Sequence, residues 1–283
     1  MNNNPKSSNK IAFQGQLGAN SHVACKIYFP DREYLPCNNF EDAFNAVKNN
    51  EAKYGMIPIE NSVMGRVADI HNLLPESGLF IVGEYFHRVE HHLMALKNSS
   101  LQEIKTVMSQ LPALSQCKKF IKKNNFTEIT AADTAGSAKE VASLGDRSIG
   151  AIASSLAAEI YNLKIMSSNI EDADHNTTRF IIMSNKAESP ALNDKKVITS
   201  IIFKIRNVPA ALYKGLGGFA TNGVNITKLE SYLVDGNFTA AQFYADFEGH
   251  QDLKHVKLAL EELSFYSKEL KILGCYHSDP YRN

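Results

Sequence analysis

Four short polar clusters contain residue types that can bind and orient an anion. One is the stretch DHNTTRF, which places two hydroxyls, an amide and a guanidinium ahead of the apolar run IIMSN. The other clusters are PIENSVMG (58–65), MSQLPALSQC (108–117) and ADTAGSA (132–138). Each cluster alone is equally well explained as turn or helix-cap chemistry. The four together favour a shared anion-binding site.

The elements that must position these clusters follow from the hydrophobic periodicity. Strand-like apolar runs alternate with helical patterns as far as Asn185, such as the helix that begins after Asn39 and the helix over Ala135–Leu144 that Asp133 caps. This alternation predicts a mostly parallel sheet covered on both faces, arranged as two α/β lobes. Pro58 is predicted to stop its strand from continuing as a central ladder. The first three clusters follow predicted strands, which is where ligands of open α/β sheets bind.

The order of elements changes after the polar segment NKAESPALNDKK, which is typical of a linker. VITSIIFKIR alternates with period two, and Pro209 opens a helix that Asn222-Gly223 ends. NITKLESYL and FTAAQFYADF are predicted strands joined by an Asp235-Gly236 turn, and a second amphipathic helix and the strand ELKILGCY follow. The predicted order βαββαβ is that of a ferredoxin-like unit.

Composition excludes several classes of protein. A chain of 283 residues can form two or three compact units. Its formal net charge is zero, so the sequence lacks the excess positive charge that is typical of proteins that bind nucleic acid or an anionic membrane. The first ten residues, MNNNPKSSNK, predict a disordered tail and lack the apolar core of a secretory signal. The four cysteines are scattered without a C-x-x-C spacing, which favours free thiols and a cytoplasmic location.

Three other patterns do not support the function that they suggest. His91 and His92 in FHRVEHHLM point to opposite faces of a strand, so no metal site is predicted. FQGQLGANS lacks the spacing of a nucleotide-binding loop, although its backbone N–H groups can still meet a carboxylate. No serine or cysteine has a nucleophile-elbow context, so covalent catalysis is not predicted.

Taken together, the clusters resemble the monofunctional prephenate dehydratases, with similarity from about Ile11 to Tyr281. NTTRF is similar to the family's T-R-F signature, PIENSVMG to its E-N-S/T segment and DTAGSA to its D-T-A-G-A-A segment. SQLPALSQC is similar to S-H-P-Q-A-L-x-Q-C, although Gln110 stands where the family has histidine. NVPAALYKGLGGF and KLESYL are similar to the G-A-L and E-S-R-P segments of an ACT regulatory domain, with Ala210 for glycine and Tyr232-Leu233 for R-P.

The resemblance implies an α/β fold with a two-lobed catalytic part like the type 2 periplasmic binding proteins, followed by a ferredoxin-like ACT domain. The chain is expected to cross between the lobes near Glu84–His91 and to return near Ser167–Asp174. The expected boundaries are a tail at 1–10, a catalytic domain at 11–187, a linker at 188–196, an ACT domain at 197–277 and a C-terminal tail at 278–283. Within the catalytic domain, one lobe is expected at about 11–86 and 172–187 and the other at about 87–171.

The implied reaction converts prephenate to phenylpyruvate, carbon dioxide and water, without a metal or organic cofactor. The residues with an implied catalytic role are Thr178, Glu60, Asn61, Ser109 and Gln116. The residues with an implied substrate-binding role are Ser62, Thr134, Ala135, Thr177, Arg179 and Phe180.

The residue types suit this chemistry. The departing carboxylate loses its charge in the transition state, so a cation bound to it would stabilise the ground state more and slow the reaction. Neutral donors avoid that penalty, and here they are Asn61, Ser109, Gln116 and Thr178. Arg179 either binds the pyruvyl carboxylate, which keeps its charge, or turns away into a structural ion pair. Thr178 can polarise the leaving hydroxyl, and Glu60 can protonate it if burial raises its pKa.

The implied effector is L-phenylalanine, bound between ACT domains of a dimer or tetramer. An exposed sheet edge such as VITSIIFKIR is expected to pair across the subunit interface. Tyr232 either narrows the effector pocket or is an exposed strand aromatic. A chain stopped near Ser189 is expected to fold and stay active but to ignore phenylalanine. The residues implied in effector binding are Ala210, Ala211, Leu212, Asn225, Glu230 and Ser231.

Two alternatives remain open at this point. The first is an arogenate or broad cyclohexadienyl dehydratase, which would need a partner for the substrate's ammonium group. The second is a non-catalytic two-lobed sensor of small molecules with an ACT domain.

Overall fold

A computed structural model describes residues 9–234 and 237–282. Most of the predicted N-terminal tail, the predicted Asp235-Gly236 turn and Asn283 lie outside the described residues. The described chain forms two compact units. One contains the residues up to Val67 together with Tyr85–Phe180, and the other contains Ala68–Glu84 together with the residues from Ile181 onwards. We call them the N-terminal unit and the C-terminal unit.

The elements are numbered in chain order. The strands are β1 Lys10–Gln14, β2 Glu33–Cys37, β3 Tyr54–Asn61, β4 Gly65–Arg66, β5 Phe80–Arg88, β6 His92–Ala95, β7 Thr106–Ser109, β8 Thr127–Thr130, β9 Ile149–Ala153, β10 Lys164–Ser167, β11 Thr177–Ser184, β12 Val197–Ile205, β13 Ile226–Val234, β14 Asn237–Glu248 and β15 Ser267–His277. The helices are α1 Asn20–Tyr28, α2 Phe40–Lys48, α3 Ala68–Leu73, α4 Leu111–Gln116, α5 Lys118–Lys123, α6 Thr134–Leu144, α7 Ser155–Ile160, α8 Ala211–Thr221 and α9 Lys254–Tyr266. Short 3-10 helices lie at Leu101–Glu103 and Pro280–Arg282.

The capped helices form where the sequence predicts them. The Asn39 side chain accepts a hydrogen bond from the Asp42 amide at the start of α2. The Asp133 carboxylate accepts one from the Gly136 amide at 2.6 Å at the start of α6. Each cap satisfies an amide that has no partner within its helix, which fixes the residue where the helix begins.

The first sheet has the strand order β2-β1-β3-β11-β5, with β4 paired to the end of β3. β1 is parallel to both β2 and β3. β3 runs through Pro58 to Asn61 and is an interior strand of the sheet. Its ladder with β1 ends at Met56, ahead of Pro58, so on that side the ladder stops as the sequence predicts.

The second sheet has the order β10-β6-β9-β7-β8. β7 is parallel to β8 and β9, but β6 is antiparallel to both β9 and β10. The sheet is therefore mixed, and the prediction of a mostly parallel arrangement is wrong for this lobe. β6 carries the chain into the sheet and β10 carries it out, so these neighbours run in opposite directions.

The third sheet has the order β13-β14-β12-β15, and each of these pairs is antiparallel. With α8 and α9 the element order is βαββαβ, as the sequence predicts. The two helices pack on the sheet over a core that includes Phe203, Phe219, Phe247 and Leu263. β12 lies between two neighbours and is buried over its first seven residues, so the prediction that it is an exposed edge is wrong.

The C-terminal unit also contains α3 and the first part of β5. A Cβ on Gly274 would overlap the carbonyl of Ile81, and Lys271 Nζ donates to the carbonyl of Pro75 at 2.8 Å. The His71 ring packs edge-on against Tyr232. Tyr232 is buried, so it is not the exposed aromatic that one reading of the sequence predicts. Because 68–84 pack with the third sheet, the structure does not support the expectation that a chain stopped near Ser189 folds.

Candidate active site

The two segments that connect the first and second sheets run side by side in the N-terminal unit. The Val89 amide donates to the carbonyl of Asn176 at 2.8 Å, and the Ile170 amide donates to the carbonyl of His91 at 2.9 Å. Glu171 accepts a hydrogen bond from the His91 amide at 3.0 Å. These bonds place the entrance of β11 beside the entrance of β6, at the crossings that the resemblance implies.

Ser62 connects the end of β3 to the entrance of β11 through hydrogen bonds. Its amide donates to the carbonyl of Thr177 at 2.8 Å, and its hydroxyl donates to the carbonyl of His175 at 2.6 Å. The same hydroxyl accepts a hydrogen bond from the Thr177 amide at 2.9 Å. The clusters PIENSVMG and NTTRF are therefore neighbours in space, although more than a hundred residues separate them in the chain.

Asn61 is at the centre of a network of side-chain hydrogen bonds. Its Oδ1 accepts the backbone amides of Val63 and Met64, both at 2.9 Å. Its Nδ2 donates to Asn176 Oδ1 at 2.8 Å and to Thr178 Oγ1 at 2.9 Å. Both hydrogens of the Asn61 amide are therefore used inside the protein, and one of them holds Thr178.

The second lobe contributes Gln116 and His91 to the same network. Gln116 Oε1 accepts from Asn176 Nδ2 at 3.0 Å and lies 2.8 Å from His91 Nε2. His91 is 2% exposed, and its burial lowers the pKa of the imidazole, an effect that the hydrogen bond to Gln116 opposes only in part. The network therefore consists of amides, a hydroxyl and a neutral imidazole.

Arg179 is paired with Glu60 and turned into the protein. The two side chains are 3.0 Å apart, Arg179 is 1% exposed, and its guanidinium lies 5.9 Å from the centre of the Phe86 ring. Of the two readings of Arg179, the structural ion pair matches this geometry. The Glu60 side chain is 30% exposed and accepts its hydrogen bond from Arg179.

The other predicted site residues are not joined to this network. Ser109 is fully buried and donates its hydroxyl to the carbonyl of Ile152 at 2.6 Å, so its proton is not free for a substrate. Thr134 and Ala135 are buried in the first turn of α6, and Phe180 is buried in β11. Within 9–234 and 237–282, no hydrogen bond links these four side chains to the network.

Three backbone amides of the loop FQGQLGANS donate hydrogen bonds within the protein. The Gly15 amide donates to the carbonyl of Cys37, and the Gly18 amide donates to His22 Nδ1 at 3.0 Å. The Ala19 amide donates to the carbonyl of Gln16. These three amides are occupied, so any carboxylate contact by this loop rests on its other backbone N–H groups.

Sequence reasoning did not assign Asn176 and His91 to the site. Asn176 stands inside the signature cluster, and its only signal is an amide next to two hydroxyls. The sequence around His91 suggests only a metal ligand, and no sequence pattern connects His91 to Gln116. In the part of the chain that the structure describes, no group of three or more His, Cys, Asp or Glu side chains is arranged to hold a metal ion.

The fold and the site define a two-lobed α/β protein with a neutral hydrogen-bonding site where its lobes connect. The family model for prephenate dehydratase matches residues 11–188. The chain therefore belongs to the prephenate dehydratase family. No helix in the described ranges is long and apolar enough to cross a membrane.

Several relatives are similar over nearly the whole chain. A bifunctional N-acyl-homoserine lactone acylase/prephenate dehydratase of Komagataeibacter europaeus is 44% identical, over 96% of this chain and 97% of that protein. Arogenate dehydratase/prephenate dehydratase 1 of Arabidopsis thaliana, a chloroplastic protein, is 37% identical, over 96% of this chain and 73% of that protein. A bifunctional chorismate mutase/prephenate dehydratase of Aquifex aeolicus is 34% identical, over 94% of this chain and 73% of that protein.

Two solved structures share the whole fold. One, described as GqqA, a novel type of quorum quenching acylase, has a TM-score of 0.91 and 44% identity, covering 97% of this chain and 100% of that chain. The other is prephenate dehydratase from Arthrobacter aurescens in complex with L-Phe, with a TM-score of 0.86 and 27% identity. It covers 95% of this chain and 89% of that chain.

Proposed function

We propose that the protein is a prephenate dehydratase, which converts prephenate to phenylpyruvate, carbon dioxide and water. The observation that carries this proposal is the uncharged network around Asn61, Thr178 and Gln116, together with membership of the family. Thr178 is half-buried, with its hydroxyl held by Asn61 at 2.9 Å. Gln116 is also half-buried and uses only its oxygen inside the network.

The neutrality of this network suits the reaction. The carboxylate that leaves as carbon dioxide loses its charge in the transition state, so a cation bound to it would favour the ground state. The Gln116 amide can orient that carboxylate without this penalty. The Thr178 hydroxyl polarises the departing ring hydroxyl, and formation of the aromatic ring supplies the driving force. Arg179 is committed to Glu60 and acts here by holding β3 against β11.

The geometry favours prephenate over arogenate as the substrate. Arogenate carries an ammonium group, which needs an anionic or other acceptor partner. Glu60 is the carboxylate next to Asn61 in the chain, and it is already paired with Arg179 at 3.0 Å. We therefore expect a higher kcat/KM for prephenate.

The test is to assay the purified protein with both substrates, following phenylpyruvate by its absorbance and phenylalanine by chromatography. Turnover of prephenate supports the proposal, and a preference for arogenate reassigns the substrate. A folded protein that turns over neither substrate contradicts the proposed dehydratase activity and favours the alternative of a non-catalytic sensor.

We also propose that residues 197–277 are an ACT domain through which L-phenylalanine regulates the enzyme in a dimer or tetramer. The βαββαβ order supports this, and the related structure from Arthrobacter aurescens is described in complex with L-Phe. Asn225 is exposed, with its carbonyl accepting the Glu248 amide at 2.9 Å. The proposed effector residues are Ala210, Ala211, Leu212, Asn225, Glu230 and Ser231.

The effector proposal is tested by Asn225→Ala. This variant should weaken inhibition by phenylalanine and leave uninhibited kcat close to that of the wild type. Unchanged inhibition, or a strictly monomeric protein that is still inhibited, contradicts the proposed site between ACT domains.

A second candidate activity is hydrolysis of N-acyl-homoserine lactones, because the similarity to the bifunctional relative extends over 96% of this chain and 97% of that protein. Two buried cysteines and one serine–histidine pair do not have the features of an activated nucleophile. Burial raises the pKa of the Cys25 and Cys117 thiols, which keeps them protonated. Ser189 Oγ lies 3.0 Å from His250 Nε2, but His250 Nδ1 accepts the Asp252 amide, so Nε2 carries the proton and cannot act as a base.

Acylase activity is tested by following release of the acyl chain from an acyl-homoserine lactone in the wild type and in Thr178→Val. Loss of the activity in Thr178→Val assigns both reactions to one site. Retention of the activity requires a separate site.

A further inference from the structure

We propose that the site network has one fixed hydrogen-bond direction, imposed by the backbone amides of Val63 and Met64, and that Asn176 and His91 are positioning residues that transmit it. This direction turns the Thr178 O–H and the Gln116 NH2 group towards the substrate. The inference rests on the proposed function for its kinetic consequences, but the direction of the bonds can be measured without turnover.

The starting point is the orientation of the Asn61 amide. A backbone N–H can only donate, and two of them, at Val63 and Met64, point to the same Asn61 atom at 2.9 Å. That atom must be the oxygen. The other end of the Asn61 amide is therefore NH2, which can only donate.

The next step fixes Thr178 and Asn176. Asn61 Nδ2 meets Thr178 Oγ1 at 2.9 Å, so this oxygen accepts a hydrogen bond and its own proton points elsewhere. Asn61 Nδ2 also meets the Asn176 amide at 2.8 Å, and the atom that it meets must be Asn176 Oδ1. The Asn176 NH2 group is therefore the end that faces Gln116.

The last step fixes Gln116 and His91. The Gln116 atom 3.0 Å from Asn176 Nδ2 must be its oxygen. The same oxygen lies 2.8 Å from His91 Nε2, so His91 donates and carries its proton on Nε2. His91 Nδ1 is buried without a partner in the described residues, which disfavours a second proton. Gln116 Oε1 then has both lone pairs occupied, and the Gln116 NH2 group is left facing away from the network.

The consequence is that, before any substrate binds, the Gln116 NH2 group faces away from the network and the Thr178 proton is directed away from Asn61. Donors that do not need to reorient during the reaction stabilise a transition state more than donors that do. This arrangement requires the burial of two polar side chains, those of His91 and Asn176, which are 2% and 1% exposed. Neither needs to touch the substrate to affect the rate.

The first test uses Asn61→Asp, which reverses the hydrogen bond between residue 61 and Thr178. A carboxylate still accepts the Val63 and Met64 amides, but its other oxygen now requires Thr178 to donate inward. We expect kcat to fall at least about a hundredfold with little change in KM, the scale of losing one oriented donor. A protonated carboxyl regains one donor, so the ratio of variant to wild-type activity should rise as the pH is lowered.

Two features of that experiment separate direction from structural damage. The charged and titratable residues near Asn61 include Glu60, Arg179, Arg66, His175 and His91, and all are present in both proteins, so the activity ratio isolates the new carboxyl. Asn39→Asp is the matched control, since the Asn39 side chain also accepts a backbone amide but lies at the start of α2. It should leave kcat unchanged. A ratio that does not change with pH, or a kcat within threefold of the wild type in Asn61→Asp, overturns the proposal.

The second test addresses His91 as a donor. In His91→Leu the Gln116 oxygen loses one of its two partners, and we expect kcat/KM to fall about tenfold, mainly through KM. In His91→Gln the side-chain NH2 group can reach the position of Nε2, and we expect most of kcat/KM to return. Equal losses in His91→Leu and His91→Gln, in proteins with wild-type melting temperatures, contradict the positioning role.

The third measurement is independent of catalysis. The 15N chemical shifts of the His91 ring in the full-length protein should show a protonated Nε2 and a bare Nδ1 near pH 7. A proton on Nδ1 alone, or on both nitrogens, overturns the proposed direction. If this result agrees while the folded wild-type protein turns over neither prephenate nor arogenate, the network direction is right and the proposed function is what fails.

Discussion

The two units of the protein each contain a buried polar network, and the two networks differ in charge. The network around Asn61 in the N-terminal unit is neutral. In the C-terminal unit, Arg282 lies 2.6 and 3.0 Å from the two oxygens of Glu84 and 3.5 Å from Asp246. The side chains of Glu84 and Asp246 are fully buried, and that of Arg282 is 17% exposed.

This difference in charge suits the neutral network to catalysis and the charged cluster to stabilising the fold. Uncharged donors cost little to bury when they are hydrogen-bonded, and they can face a substrate group that loses its charge. Buried ions are costly to desolvate, so a cluster of them is stable only while every partner is present. Asp246 has such additional partners. Ser200 donates a hydrogen bond to it at 2.5 Å, and Tyr244 donates one to Ser200 at 3.1 Å. We therefore expect changes in the neutral network to alter kcat or KM, and changes in the charged cluster to alter the free energy of unfolding.

The largest effect on stability should come from Arg282→Ala. This change leaves two buried carboxylates without their arginine, and removing one partner of a buried ion pair costs about 3–5 kcal/mol. Urea denaturation of the full chain measures the loss. Arg147→Ala is the control, since Arg147 pairs with Glu103 at the surface with half of its side chain exposed, and it should cost less than about 1 kcal/mol. Equal costs for the two variants would contradict the contrast between the units.

Acid should destabilise the N-terminal unit through His87, a buried histidine of β5. Burial lowers the pKa of His87 from 6.5 to about 4. The unfolded chain therefore takes up the proton below about pH 6.5, whereas the folded chain does so only near pH 4, and stability falls as the pH decreases between these values. The loss is at most about 3 kcal/mol.

The measurement is the free energy of unfolding from pH 7 to pH 4 in the wild type and in His87→Gln. The variant should show a shallower loss over this window. His255→Gln replaces an exposed histidine and should follow the wild-type curve. Parallel curves for the wild type and His87→Gln would exclude this residue as the cause of acid sensitivity.

Thr178→Val should change the rate and leave stability nearly unaffected. The substitution keeps the shape of the side chain but removes the hydroxyl that Asn61 orients. We expect kcat to fall at least about a hundredfold with a smaller change in KM, while the unfolding curve stays within about 1 kcal/mol of the wild type. Stopped assays of phenylpyruvate and urea denaturation on the same sample measure both. Near-normal turnover in the folded variant would remove Thr178 from the reaction.

The sequence predicts the fold better than it predicts contacts. Caps such as Asn39 and Asp133 act over three residues, so their helices can be located from the sequence alone. The interior position of β12 and the antiparallel β6 depend on pairings between distant residues, and no local pattern contains them. The motifs identify Asn61 and Thr178, but the contact between His91 and Gln116 forms only where the two lobes connect. Sequence reasoning therefore finds the donors and misses the residues that orient them.

The smallest effect should come from Ala210, which precedes α8 with a φ of 60°, in the left-handed region that favours glycine. A residue with a Cβ pays about 1 kcal/mol to adopt this conformation. Ala210→Gly should therefore stabilise the C-terminal unit by up to about 1 kcal/mol, less the entropy that glycine loses on folding. Ala220→Gly is the matched control, because Ala220 is exposed within the same helix, and it should destabilise by up to about 1 kcal/mol. Urea denaturation of both variants measures the difference in sign, and a loss of stability in both would show that Ala210 is not strained.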